Sequence, residues 1–421
     1  DERYDEAAEL FDRAAELLEA ERRRSARLNA ATSLLAGGNI PAFDQLRDEA
    51  EDPDLQTQLE LERSLHLASE RDPEALPSLL AFIRHHPDHP RIDDARLNAA
   101  LAALAAIPAQ PDVAARMLDA IDGERRRSLA PAMLALAEMR LHQSRGEWRE
   151  AADRAAGFLK AYPDDPAAPT LRFEQGRALF RNRDFNDARL VLEALAKDFP
   201  DSRHAPAALL LSARAAAEGG TPQSQAESIA LFDRLIESGS PFAAVARLEK
   251  ADILIRLARL DDAVESLRPW FGGMEKDDPL RLSAGMLLGD ALFARAQGDP
   301  AKLEEALRHY DQLLETLPED SPARFQILYQ KGLVLEQCNA RDDDALVAYM
   351  DVVQSAPESP RGDWNAIESC GFAALRILEK RGEWVAAMKL ARRIAGLGGP
   401  RSEEAAERAK KIGMDQFIWE D

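Results

Sequence analysis

Apolar residues recur along this chain at intervals of three and four, and no stretch alternates with the period of two that a half-buried strand requires. The period predicts amphipathic helices throughout and an all-α fold. One passage shows the unit. Leu171, Gly176 and Leu179 mark a first helix, a polar turn follows, and Phe185, Ala188, Leu192 and Leu195 mark a second that closes at Phe199-Pro200. The preceding passage aligns without gaps as Met139, His142, Gly146, Trp148, Ala151, Ala155, Phe158 and Tyr162-Pro163, so that Pro163 and Pro200 lie 37 residues apart.

The same marks recur from Ala75, Leu79, Phe82 and Pro87 to Trp384, Ala387, Ala391 and Ile394, with a weaker copy over 24–50 turning at Gly37-Gly38-Asn39. About ten helical hairpins are expected, with a leading half-hairpin in which Tyr4, Ala7 and Phe11 read as a second helix lacking its first. Because the chain begins Asp1-Glu2-Arg3 with no Met, a fragment or a trimmed mature chain is expected. A small residue on the first helix lets two helices approach to about 8–10 Å. Each hairpin leaves an apolar face for its neighbour, so the expected architecture is a right-handed α-solenoid of stacked hairpins. The expected layout is 1–123 divergent hairpins, 124–400 regular hairpins and 401–421 a capping helix and tail, with a joint near Gly123. Residues 218–227 and 296–304 are expected to lengthen two turns within hairpins.

Charge narrows the partners. With 54 Lys and Arg against 75 Asp and Glu, the net charge of −21 opposes binding to nucleic-acid phosphates and suits neutral or basic protein surfaces. Two Cys exclude a disulfide framework, and Cys338 and Cys370, on first helices of adjacent hairpins, are expected as free thiols. No apolar run reaches the ~18 residues that a membrane span needs.

Candidate chemistry is sparse. His85, His86 and His89 beside Asp88 straddle Pro87 in a turn that recurs elsewhere without His, which favours a surface turn over a metal site. Trp148 and Trp384 follow Gly-Glu in equivalent turns and read, with Trp270, as packing residues; Trp364 and Trp419 are off-pattern. The runs Arg22–Arg24 and Arg125–Arg127 read as helix starts or salt-bridge partners. No phosphate loop, Gly-x-Ser-x-Gly elbow or His-Glu-x-x-His pair is present, so neither catalysis nor a cofactor is expected.

The hairpin marks over nearly the whole chain resemble the tetratricopeptide repeat family, specifically over 129–357 and more loosely over 24–125. The turns Tyr162-Pro-Asp-Asp-Pro, Phe199-Pro-Asp-Ser, His86-Pro-Asp-His-Pro and Ala356-Pro-Glu-Ser-Pro resemble those of bacterial envelope repeat proteins of the BamD lipoprotein and Tol-Pal coordinator types. That resemblance implies an extracytoplasmic, non-enzymatic scaffold for protein or peptide partners, with a lipid anchor conceivable upstream of Asp1. The alternative is the non-catalytic solenoid of a larger peptidoglycan-acting enzyme, such as a lytic transglycosylase.

In the family, first-helix residues build the concave, ligand-facing surface. The position after the small residue then gives a basic ladder, Arg140, Arg177 and Arg214, lined by Phe173, Phe180 and Arg181. It grades into Asp252, Arg256, Asp290, Phe293 and Tyr329. Arginine forks with aromatic anchors suit extended peptides bearing carboxylates. The competing expectation is that these arginines merely pair with Glu138, Glu174 and other neighbouring acids.

Overall fold

The computed structural model describes residues 3–318, 321–338, 340–356 and 364–418. Among these residues all regular structure is helical, in two compact units, 1–220 and 221–421. The first unit holds α1 (Tyr4–Glu16), α2 (Ala20–Ala36), α3 (Ile40–Asp48), α4 (Pro53–Ser69), α5 (Ala75–His85), α6 (Ile92–Ala105) and α7 (Pro111–Asp119). After the 3-10 turn Arg125–Ser128 come α8 (Pro131–Ser144), α9 (Trp148–Ala161), α10 (Ala168–Arg181), α11 (Phe185–Asp198) and α12 (Ala205–Glu218). The second unit holds α13 (Pro222–Glu237), α14 (Ala243–Arg256), α15 (Leu260–Gly273), α16 (Arg281–Ala296) and α17 (Pro300–Thr316). It ends with α18 (Ala323–Gln337), α19 (Asp342–Ser355), α20 (Trp364–Lys380), α21 (Trp384–Gly396) and α22 (Ser402–Asp415).

In sequence order the described residues of the first unit give α1, the hairpins α2/α3, α4/α5, α6/α7, α8/α9 and α10/α11, and then α12; those of the second give α13, the hairpins α14/α15, α16/α17, α18/α19 and α20/α21, and then α22. Each unit is an α-solenoid in which consecutive helices pack on each other. First helices also touch first helices (α4 on α6, α6 on α8, α8 on α10, α16 on α18), whereas successive second helices make no comparable contact among the described residues. First helices therefore line the inner side of each stack. No helix among the described residues is long and apolar enough to cross a membrane.

Volume complementarity sets the hairpin interface. A Cβ at Gly176 would overlap Leu192, one at Gly289 would overlap Tyr310, and one at Gly332 would overlap Tyr349. Where the first helix carries a large residue in this place, the second carries a small one: Met139 pairs with Ala155 in one core cluster, and Leu375 shares its register with Ala391. All four of these residues are buried. Filling each slot from one side or the other is what dense packing demands.

Turn chemistry fixes the joints. Within hairpins the chain reverses through a left-handed residue, Gly146 in α8/α9 and Arg183 in α10/α11, and the following N–H reaches back to His142 and Leu179 carbonyls. Between hairpins, Tyr162, Phe199 and His86 leave the helix just before Pro163, Pro200 and Pro87, since proline denies its predecessor the α conformation. The fourth turn of this type, beginning at Ala356, runs outside the described residues at Pro357.

The added residues at 218–227 and 296–304 do not lengthen turns. They wind into α13 and α17, which reach 16 and 17 residues against 14 in α11. Thr221 and Asp299 cap these helices and Pro222 and Pro300 take the first positions, so the helix starts before the extra residues rather than after them. Around Gly123 one apolar cluster continues from Leu97 and Leu118 through Ile121 and Leu129 to Leu141.

Candidate partner-binding face

In the first unit the inner face gathers Arg71, just beyond α4, Arg140 on α8, and Phe173, Glu174 and Arg177 on α10. Arg140 is half-buried, and among the described residues no hydrogen-bond or ion-pair partner reaches it. Burial pushes its guanidinium pKa down; the field of Glu174 opposes this and that of Arg71 adds to it. A desolvated cation with no hydrogen-bonded anion is costly, and an arriving carboxylate would relieve that cost.

The neighbouring acids are spent elsewhere. Glu174 accepts from Arg177 Nη1 at 2.6 Å and from Gln143 Nε2 at 3.4 Å. Glu138 pairs with Arg126 at 2.9 Å and Arg154 at 3.7 Å. The expectation that neighbouring acids hold the ladder thus applies to Arg177 but not to Arg140. Phe173 is stacked on His204 (5.0 Å, 21°) beneath the Arg177 guanidinium at 5.9 Å. Phe180 meets Phe185 edge-on at 5.3 Å. Arg181 is exposed and Arg214, on α12, is half-buried.

In the second unit the corresponding charged residues make contacts within the protein. Asp252 and Arg256 pair along α14 at 3.1 Å. Asp290 accepts the Tyr310 hydroxyl at 2.9 Å, and its carboxyl pKa is raised by burial, against that hydrogen bond. Burial and Asp290 together push the Tyr310 phenol far upward. Phe293 is half-buried, and Tyr329 packs near Tyr349 at 6.1 Å.

Beyond Tyr329 the sequence reading missed a cleft of about 420 Å³ between α18, α20 and α22. Arg376 lines it and is held by both oxygens of Glu336, which also accepts the Tyr349 hydroxyl. Arg401 lies over Phe372 at 3.7 Å from the ring centre, and Arg408 grips Glu379. The signal was available, because Arg376 follows the slot residue Leu375 as Arg177 follows Gly176.

The His cluster is a turn. His89 Nδ1 accepts from the Arg91 N–H at 3.1 Å, as Asp165 Oδ1 does from Ala167 and Ser202 Oγ from His204 in the equivalent turns. Among the described residues no three His, Cys, Asp or Glu side chains converge as metal ligands. Cys338 and Cys370 are free thiols. Trp148, Trp270 and Trp384 are half-buried packing residues, Trp364 covers Gly399, and Trp419 lies outside the described residues. Both arginine runs are tied to acids, Arg24 to Asp52 at 2.7 Å and Arg126 to Glu138.

Residues 173–228 match the tetratricopeptide repeat family model. No curated protein matches the chain. Among solved structures it is similar to a tetratricopeptide repeat protein from Parabacteroides merdae, at 13% identity over 67% of this chain and 98% of that one, with a TM-score of 0.41. It is also similar to a chain of the APC/C hetero-tetramer Cut9-Hcn1, at 12% identity over 96% of this chain and 87% of the other, with a TM-score of 0.34.

Proposed function

We propose that this protein is a non-enzymatic scaffold that docks segments of partner proteins on the inner, first-helix face of its N-terminal unit. Tetratricopeptide-type repeats generally serve as protein-interaction scaffolds, and the segment 173–228 carries that repeat. One observation carries the choice of face: Arg140 is half-buried and, among the described residues, makes no hydrogen bond or ion pair, with only the field of Glu174 in its favour. A carboxylate, from an acidic side chain or a free C-terminus, satisfies it bidentately, with Arg177 and Phe173 as the next anchors along the ladder. The remaining ladder residues, Phe180, Arg181 and Arg214, extend the same face.

The scaffold works in a bacterial cell-envelope assembly. The aromatic-Pro-Asp joints at Tyr162 and Phe199 support this reading through their resemblance to envelope repeat proteins. Fractionation of the native cell tests the location, which recovery in the cytoplasm overturns.

The docking test compares the wild type with the triple variant Arg140→Ala, Arg177→Ala, Arg214→Ala. Proteins captured by the wild type from an envelope extract are identified, and their segments are titrated by calorimetry. At least about a tenfold loss of affinity is expected, in line with a cost of 2–5 kcal/mol for truncating a buried charged contact. Unchanged affinity overturns the proposal.

A further inference from the structure

Second helices of the first unit differ in how much of the next hairpin they cover. Both α9 and α11 run for 14 residues and pack along the first helix that follows, α10 and α12. By contrast α7 has 9 residues and barely touches α8. From α7 the chain crosses to α8 through the 3-10 turn Arg125–Ser128, and a groove of about 590 Å³ opens between that turn, α8 and α9. Hairpins stand on both sides of it, so the groove follows from the shortness of α7.

Equivalent positions one hairpin later show what is left bare. Leu171, fourth in α10, is buried, whereas Leu134, fourth in α8, is only half-buried. Phe199 lies under the Arg172 guanidinium at 5.2 Å. The residue of α8 equivalent to Arg172 is Ala135, and Tyr162, equivalent to Phe199, is 46% exposed. Gly157 also lines the groove, inside α9, where a glycine weakens the helix. Among the described residues a Cβ at Gly157 would meet nothing within 4 Å, so unlike Gly176 it makes room for no side chain of its own chain.

The rim is basic. Arg126, Arg127 and Arg154 line it against Glu138 and Asp153, and both acids are engaged. Glu138 is shared by Arg126 at 2.9 Å and Arg154 at 3.7 Å, and Asp153 pairs with Arg149 at 3.4 Å. Arg127 is exposed and makes no ion pair or side-chain hydrogen bond among the described residues.

We infer that this groove docks an acidic segment of a partner protein. A bulky apolar residue of that segment sits over Gly157 beside Leu134 and Tyr162, and its flanking carboxylates meet Arg127 and Arg154. The volume falls in the range of sites that enclose such a residue, and guanidinium forks match carboxylates. On a chain of net charge −21, a basic rim also fixes where an acidic segment can settle. The same net charge on two copies opposes self-association. Arg140 does not line this groove, so its variants leave the groove intact.

The probe is a fluorescent, amidated peptide, Glu-Asp-Glu-Leu-Phe-Asp-Glu-Asp, titrated into the full chain and followed by anisotropy. Every chain titrated carries Arg140→Ala, which keeps the inner face from competing. Saturable binding is expected. It weakens at least about tenfold with Gly157→Leu, with Arg127→Glu, or with Ser in place of the peptide's Leu and Phe. Circular dichroism confirms that the Gly157→Leu chain, which gains a better helix former in open space, remains folded. Absence of saturable binding, or equal binding by the Gly157→Leu chain, overturns the inference. So does self-association of the wild type that Gly157→Leu abolishes, which would make a second copy the occupant.

Discussion

In α10 the residue after Gly176 is Arg177, exposed and paired with Glu174 one turn back; in α16 the residue after Gly289 is Asp290, largely buried and gripped by Tyr310. The two positions are equivalent in register, yet one faces solvent and the other is part of the hairpin. The facing second helix decides. Leu192 fills the slot over Gly176 and ends there. Tyr310 fills the slot over Gly289, and its hydroxyl continues past the glycine to the next residue's carboxylate. Tyr349 repeats the device one hairpin later by reaching Glu336. A buried hydroxyl needs a partner, so a tyrosine in the slot consumes an acid on the inner face. The first unit, with Leu192 and Ala155 in these places, leaves its inner-face charges to other uses.

The largest effect that sharpens this contrast is steric. Gly332→Val would drive a branched side chain into the Tyr349 ring, and a loss of about 3 kcal/mol is expected from overpacking. Gly176→Ala meets Leu192 at Cγ and Cδ2, a side chain that can turn about its own bonds where a tyrosine ring cannot fold, and should cost about 1 kcal/mol. Urea unfolding of the two variants checks the order. Equal losses would mean that the tyrosine hairpins are no more rigidly built than the leucine ones.

Next comes the hydroxyl itself. Tyr310→Phe leaves the Asp290 carboxylate without its donor and is expected to cost about 1–3 kcal/mol. The acid also gives a pH signature. Burial raises the Asp290 carboxyl above its unfolded value, so the native state holds the extra proton more tightly. Its contribution is therefore greatest below the usual carboxylate range and declines as pH rises from the unfolded to the native value. Asp290→Asn, which keeps an acceptor for Tyr310, should remove that decline and make the protein slightly more stable at neutral pH. Unfolding curves for this variant that keep the wild-type pH slope would show that Asp290 is not the group responsible.

For Arg140 the expected change in stability is smaller still. Arg140→Gln removes a desolvated cation that makes no ion pair among the described residues, so unfolding should be unchanged or improved by up to about 1 kcal/mol. Partner affinity should fall nonetheless, a split between stability and binding that Asp290 cannot show. Loss of stability with Arg140→Gln would mean that the guanidinium supports the fold.

Much of this was legible before the structure. Helix period, hairpin number and joints follow from local rules: apolar spacing, Pro after an aromatic, and a small residue at a fixed offset. The places where that reading fell short are instructive. The insertions before α13 and α17 become helix because Thr221-Pro222 and Asp299-Pro300 are start signals, which outweigh the loop-like composition after them. Asp290 was grouped with the ligand ladder because register alone does not reveal that Tyr310, 20 residues later, reaches it. Arg376 was overlooked because its hairpin fills the slot from the other side, with Leu375 where glycine stands elsewhere. A rung can be assigned only when both helices of its hairpin are read together.

Arg376 offers the smallest effect and the sharpest test of that rule. It is the rung residue of α20, yet both its bonds run to Glu336 on α18, and its side chain is 63% exposed. The hydrogen bond to Glu336 raises its pKa, but solvent screens an exposed pair, so Arg376→Ala should cost no more than about 0.5–1 kcal/mol and less in high salt. Glu336 keeps the Tyr349 hydroxyl at 2.7 Å in the variant, so the hairpin retains its buried contact. Partner affinity should not change, because in this unit the rung charge is answered from within. Strong loss of partner binding by Arg376→Ala at unaltered stability would move ligand recognition to the cleft beside Tyr329 and Phe372, and the contrast between the two units would fail.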